Sequence, residues 1–210
     1  MASIKEIMEA VEGGKAKVVG GLVQEALDNG EDPAVILNDG FIAAMTEIGE
    51  KFKNNEIFVP EMLVAARAMK KGLEVLKPCL SSEDTPNLGK YVIGTVEGDL
   101  HDIGKNLVCI MVESVGFEIV DLGVDVKAEQ FIEAVQDPEV KVVGLSALLT
   151  TTMPNLKATV EELNKLPNRS QFKIMVGGAP ITPGFAEECG ADAYTADAAQ
   201  CAEVAKSFVA

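Results

Sequence analysis

From residue 91 onward the chain alternates short apolar runs with helical patterns five times over, and that alternation leaves few folds open. Runs at 91–96, 118–122, 140–145, 173–176 and 191–195 read as strands. Between and after them, 103–115, 128–136, 155–165, 184–189 and 199–209 place apolar residues at helical spacing. Apolar strands separated by helices form a parallel sheet covered on both faces. Five such strands most often take the order 2-1-3-4-5, which places the topological switch point between the first and third strands.

Before residue 78 the pattern is helical throughout. Ile4, Ile7, Met8 and Val11 share one face and stop at Gly13-Gly14. Val18-Val19, Leu22-Val23 and Ala26-Leu27 carry a second helix to Asn29-Gly30. Asp32-Pro33 predicts an N-cap with proline in the first turn, opening a third helix that runs to Phe52. A fourth opens at Pro60 and carries Met62-Leu63, Ala65-Ala66, Met69, Leu73 and Leu76. Short turns between amphipathic helices predict a four-helix bundle. The polar, proline-punctuated 78–89 reads as a linker. The expected fold class is therefore α/β: an N-terminal four-helix bundle cap over 1–88, then a Rossmann-like (flavodoxin-like) doubly wound five-stranded parallel sheet over 89–210.

Composition narrows the partners. A formal charge of -15, no Trp and two Tyr argue against nucleic acid and anionic membranes, which need clustered Lys and Arg and stacking surface. The start, Met1-Ala2-Ser3-Ile4-Lys5-Glu6, has no charged-then-apolar signal pattern, and no apolar run approaches the roughly 20 residues of a spanning helix. The expected localisation is cytoplasmic. Cys79, Cys109, Cys189 and Cys201 form no Cys-x-x-Cys pair and read as reduced thiols.

Chemistry concentrates in the loop after the first strand, which holds the one histidine. Gly98-Asp99-Leu100-His101-Asp102-Ile103-Gly104 lies between a strand and a helix, where open α/β sheets hold ligands. Asp99 and His101, two apart, can point the same way in an extended loop, so a carboxylate can hold Nδ1-H and aim Nε2 outward. Two further loops, Ser146 to Thr152 and Gly177-Gly178-Ala179-Pro180, emerge on the same sheet edge. No loop matches the Gly-x-x-x-x-Gly-Lys-Ser/Thr phosphate cradle. One imidazole without paired cysteines is too few ligands for zinc. It does suffice as an axial ligand to a metal whose other ligands come from a macrocycle.

Asp99-Leu100-His101-Asp102-Ile103-Gly104 resembles the Asp-x-His-x-x-Gly signature of cobalamin-binding domains. With Gly144-Leu145-Ser146-Ala147-Leu148 and Gly177-Gly178 following in order, the chain resembles the small corrinoid proteins of methyltransferase systems and the cobalamin module of methionine synthase. Asn55-Glu56-Ile57-Phe58-Val59-Pro60-Glu61 resembles the helical cap that accompanies that domain. The resemblance implies a corrinoid, methylcobalamin in turnover, with His101 on cobalt, Asp99 holding Nδ1-H and Thr152 extending the relay. It places Gly98, Leu100, Asp102, Ile103, Gly104 and Leu148 against the cofactor, Ser146 and Thr150 on the displaced lower base, and Gly177-Gly178 along the nucleotide tail. Phe58 and Met62 would cover the upper face, or else belong to the bundle core.

The function so implied is a methyl carrier, not catalytic alone. It takes methyl onto Co(I) from a substrate-specific methyltransferase and passes it to a second one acting on tetrahydrofolate or coenzyme M. A reductive activase completes the partner set. Methanol, methylamines, betaines and methoxylated aromatics all remain possible donors. Two other readings share the loop: a cobalamin-dependent sensor, for which the chain offers no output module, and the small subunit of an adenosylcobalamin mutase, which the helical cap does not fit.

Overall fold

The computed structural model describes residues 3–80 and 88–209. Most of the predicted linker, 81–87, lies outside the described residues. The chain divides into two compact units, Met1–Asn87 with Ser114–Gly116, and Leu88–Glu113 with Phe117–Ala210.

In the helical unit, α1 (Ile4–Glu12) is opened by a reciprocal cap: Ser3 Oγ accepts from Glu6 N–H at 3.2 Å, and Glu6 accepts from Ser3 N–H at 2.8 Å. Helix α2 (Ala16–Asp28) follows a Gly13-Gly14 stop in which Gly14 takes φ +63°. Asp32 caps the next helix as predicted, accepting from Ala34 N–H at 2.9 Å with Pro33 in the first turn.

That helix has the expected extent but not the expected winding. It runs as α3 (Pro33–Val35), a π-helical stretch (Ile36–Ile42) and α4 (Ala43–Lys53). The cause is in the burial pattern: Ile36-Leu37, Gly40-Phe41, Ala44-Met45 and Ile48-Gly49 are buried pairs repeating every fourth residue. At 3.6 residues per turn such a repeat drifts by about 40° each step. A wider turn in the middle keeps the pairs facing inward.

Helix α5 (Val59–Leu76) begins one residue before Pro60, with Glu61 accepting from Phe58 N–H at 3.1 Å. Gly72 on α5 faces the buried ring of Phe41 and the side chain of Val19, and a Cβ there would overlap both. Gly72→Ala is therefore expected to destabilise the helical unit by about 1–3 kcal/mol, although alanine is the better helix former, as a chemical denaturation midpoint will read.

The sheet unit contains β1 (Lys90–Thr95), β2 (Glu118–Asp121), β3 (Val140–Ser146), β4 (Lys173–Gly177) and β5 (Ala193–Tyr194), all parallel, in the order β2-β1-β3-β4-β5. Helices α6 (Ile103–Ser114), α7 (Ala128–Ala134), α8 (Met153–Asn164), α9 (Pro183–Cys189) and α10 (Ala198–Ser207) connect and flank the strands. One core cluster gathers Val92, Val143, Leu145, Ile174 and Val176 from the strands with Phe131, Leu156, Val160 and Ala186 from helices. Strand β5 is only two residues, and α8 starts two residues earlier than the spacing predicts, because Pro154 sits within its first turn.

Register decides where the loops emerge. Thr95 pairs with Ser146, and Ser146 with Gly177, so the ends of the three central strands stand in one row. The three candidate loops leave the sheet side by side at the switch point. Among the described residues, no helix is long and apolar enough to cross a membrane.

Candidate functional site

Asp99 is the centre of the arrangement and is fully buried. Its Oδ1 accepts from His101 Nδ1 at 2.7 Å and from His101 N–H at 3.1 Å. Its Oδ2 accepts from Leu148 N–H at 2.7 Å, Leu149 N–H at 3.3 Å and the Thr152 hydroxyl at 2.8 Å. Burial alone would raise this carboxyl group. The hydrogen bonds from Leu148, His101 and Thr152 outweigh it and hold Asp99 well below the usual carboxylate range.

An ionised carboxylate can only accept, so neutral His101 carries its proton on Nδ1 and keeps a lone pair on Nε2. The imidazole is half exposed while its anchor is fully enclosed. The ring is thus held from behind, with its free nitrogen turned away from Asp99.

Thr152 is the N-cap residue of α8, yet its side chain caps nothing in its own helix. A hydroxyl in that position ordinarily accepts from a first-turn N–H. Here it donates to Asp99 and lies within 2.9 Å of Leu149 O. The helix end has given up a local hydrogen bond to complete the carboxylate's shell.

Two further side chains fix the loop backbone, and the sequence reading assigned neither. Buried Thr95 donates from Oγ1 to His101 O at 2.9 Å, and Asn155 donates from Nδ2 to Glu97 O at 2.8 Å. Thr95 was legible as the last polar residue of an apolar strand. Asn155, on a helix, carries no local signal.

Of the remaining candidates, Leu100 and Ile103 are largely exposed, Leu148 is exposed, and Asp102 accepts from Asn106 Nδ2 at 3.1 Å. Gly98 takes φ +82°, and at Gly104 an added Cβ would meet no atom within 4 Å. Ser146 and Gly177 stand beside each other in register, Gly178 is exposed and takes φ +130°, and Thr150 is exposed on its loop. Phe58 and Met62 belong to the helical unit, where Phe58 is 64% exposed and Met62 is fully buried.

The loops at this edge also expose aliphatic side chains. All five exposed large hydrophobic residues described in the sheet unit, Leu100, Ile103, Val124, Leu148 and Leu149, are at this edge. A half-exposed imidazole on an edge that also bears exposed aliphatic side chains and open glycines fits a large, mostly apolar ligand that brings its own metal.

Residues 89–203 match the B12 binding domain family, and residues 3–77 match a second family of the same description. The chain belongs to the B12-binding family. Trimethylamine corrinoid protein 1 of Methanosarcina acetivorans is 42% identical over 200 residues, which is 92% of this chain and 93% of the relative. A corrinoid protein of Desulfitobacterium hafniense is 36% identical over 212 residues, 100% of this chain and 98% of the relative. Among solved structures, a cobalamin-binding protein from Desulfitobacterium hafniense aligns with TM-score 0.83 at 29% identity, covering 100% of both chains. A chain of the methanol:cobalamin methyltransferase complex from Methanosarcina barkeri aligns with TM-score 0.85 at 30% identity, covering 98% of this chain and 79% of that one. The corrinoid expected from the Asp99-Leu100-His101 signature is the cofactor of this family, whose match covers the sheet unit from residue 89 to residue 203.

Proposed function

We propose that the protein carries methyl groups on a corrinoid between two methyltransferases, with methylamines as the donor class. The carrying observation is the chain Thr152 to Asp99 to His101, which leaves a half-exposed imidazole with a free nitrogen on an edge that bears exposed aliphatic side chains. The donor class rests on relatives called trimethylamine and dimethylamine corrinoid proteins, the former 42–46% identical. When bound, the corrinoid supplies a cobalt centre able to accept and release methyl.

The chain's own part is positional. His101 Nε2 would hold the cobalt, Asp99 keeps the proton at Nδ1, and Thr152 with the Leu148 and Leu149 N–H groups keeps Asp99 ionised and fixed. Exposed Leu100, Ile103 and Leu148 would meet the macrocycle, and Gly104 would leave room for it. Ser146, Thr150 and Gly177-Gly178 would hold the displaced base and nucleotide tail. In this reading residues 89–210 hold the cofactor and residues 1–88 serve as a helical cap, with exposed Phe58 the residue suited to cover the ring and buried Met62 a support for its helix. A reductive activase and an acceptor methyltransferase using tetrahydrofolate or coenzyme M complete the set, in the cytoplasm.

The test is reconstitution. Protein loaded with hydroxocobalamin and reduced is expected to yield the methylcobalamin spectrum when mixed with a methylamine methyltransferase and its amine. Methanol, betaine and methoxyarene systems are expected to give none. Methylation by none of the tri-, di- and monomethylamine systems would remove the donor assignment.

A further inference from the structure

Asp125 is one of two non-glycine residues with positive φ among the described residues, at +54°. It lies in the loop after β2, outside the two loops that carry the relay. Its Oδ1 accepts from Gly98 N–H at 2.7 Å, and its own N–H donates to Asp99 O at 3.0 Å. One residue thus grips the backbone on both sides of the Gly98–Asp99 junction. Aspartate is among the few residues that enter this left-handed region readily, and here the turn aims its carboxylate back at Gly98.

The segment bearing Asp125 is itself anchored. Thr95 N–H donates to Gly123 O at 3.0 Å, and Val126 N–H donates to Thr95 O at 3.0 Å, extending the sheet by one bridge between Val96 and Val126. At its other end Asp121 Oδ1 accepts from Gly123 N–H at 2.9 Å, while Oδ2 lies 2.5 Å from Nζ of Lys105, a buried lysine in the first turn of α6. Lys105 also donates to Asn106 Oδ1 at 2.8 Å. His101 therefore sits between two fixed points set by the end of β2 and the loop after it: Asp125 upstream at Gly98–Asp99, and Asp121 downstream at Lys105.

We propose that Asp125 is a positioning residue that sets how far the His101 imidazole reaches toward the cobalt, through its two hydrogen bonds to the Gly98–Asp99 backbone. The inference rests on His101 being the axial ligand. Gly98, at φ +82° with no side chain, is the joint about which the loop turns, and the bond to its N–H stops that turn. The carboxylate of Asp99 fixes the ring relative to the loop. Asp125 fixes the loop relative to the sheet, so the ring's reach is inherited from β2.

Three variants separate the parts of this claim. Asp125→Asn keeps an acceptor oxygen and tolerates positive φ, Asp125→Gly keeps the backbone and drops the acceptor, and Asp125→Ala drops the acceptor and opposes the φ. The readout is electron paramagnetic resonance of protein loaded with hydroxocobalamin and reduced to Co(II), in which one axial nitrogen splits each cobalt line into three. Wild type and Asp125→Asn are expected to keep the splitting. Asp125→Gly is expected to lower the ratio of nitrogen-ligated to unligated corrinoid roughly tenfold, the loss of one charge-assisted hydrogen bond. In the proteins without corrinoid, amide exchange at Gly98 is expected to speed up by about the same factor in Asp125→Gly.

A wild-type ratio and wild-type exchange in Asp125→Gly would overturn the positioning role. So would an asparagine variant as impaired as the glycine one, since the acceptor geometry would then be irrelevant. Wild-type protein lacking the nitrogen splitting would instead overturn the ligand assignment on which the proposal rests.

Discussion

Asp99→Asn is expected to cut the histidine-ligated fraction of corrinoid by roughly 10- to 100-fold, although the substitution changes one atom and keeps the shape. Oδ2 of Asp99 receives three donors and Oδ1 receives two, and each oxygen takes at least one backbone N–H that an amide NH2 could not accept from. With the amide NH2 toward His101, Nδ1 must become an acceptor to relieve the clash. The proton then moves to Nε2, and the lone pair available for a metal is lost. With the NH2 toward the other side it meets the Leu148 and Leu149 N–H groups, backbone donors that cannot turn away. Either orientation leaves a buried donor unmatched, for an expected loss of about 2–4 kcal/mol in folding stability.

The same substitution fixes a pH signature. The folded pKa of Asp99 lies below its unfolded value, so its stabilisation is fully present above the ordinary carboxyl range, near pH 4, and is lost as pH falls through the depressed value. The difference in stability between wild type and Asp99→Asn is expected to stay flat from about pH 5 to 8 and to narrow only in stronger acid. Denaturation midpoints across that range check it, and the cobalt spectrum checks the ligand.

The sequence carried the fold because each strand was a continuous apolar run bounded by turn residues, and because a parallel sheet has few ways to connect five of them. The strand order and the row of loops followed, and the register Thr95–Ser146–Gly177 places those loops together. The relay was legible because Asp99 and His101 are neighbours in the chain, while Thr152 needed the motif resemblance to be joined to them. What stayed hidden was held by hydrogen bonds between residues distant in sequence: Asn155 to Glu97 spans 58 positions, and Asp125 to Gly98 spans 27. Neither has a periodic or compositional signature. The π-helical stretch was hidden for another reason. Its buried pairs repeat every four residues, close enough to the helical period that the pattern reads as an ordinary helix until its drift is followed over several turns.

Gly178→Ala is expected to do its damage at Asp99, through a loop that Gly178 does not belong to. At φ +130° only glycine rests without strain, and an added Cβ would lie on the carbonyl oxygen of Ala147, 2.9 Å from its carbon and 3.2 Å from its nitrogen. Ala147 N–H meanwhile donates to Gly177 O at 3.2 Å, so the two loops touch backbone to backbone and cannot part without breaking that bond. Strain and overlap together are expected to cost about 2–5 kcal/mol, lowering the thermal midpoint by about 5–15 °C. The next residue after Ala147 is Leu148, whose N–H is the 2.7 Å donor to Asp99 Oδ2, so any shift that relieves the overlap draws a donor away from the carboxylate. The variant should therefore lose histidine ligation as well as stability, in crystals or by resonance splitting. Gly104→Ala is the contrast: its Cβ would meet nothing within 4 Å, so the midpoint should hold while corrinoid uptake falls, because the space it fills is the space proposed for the macrocycle. Equal losses of stability in the two variants would mean that the glycines serve the fold alone.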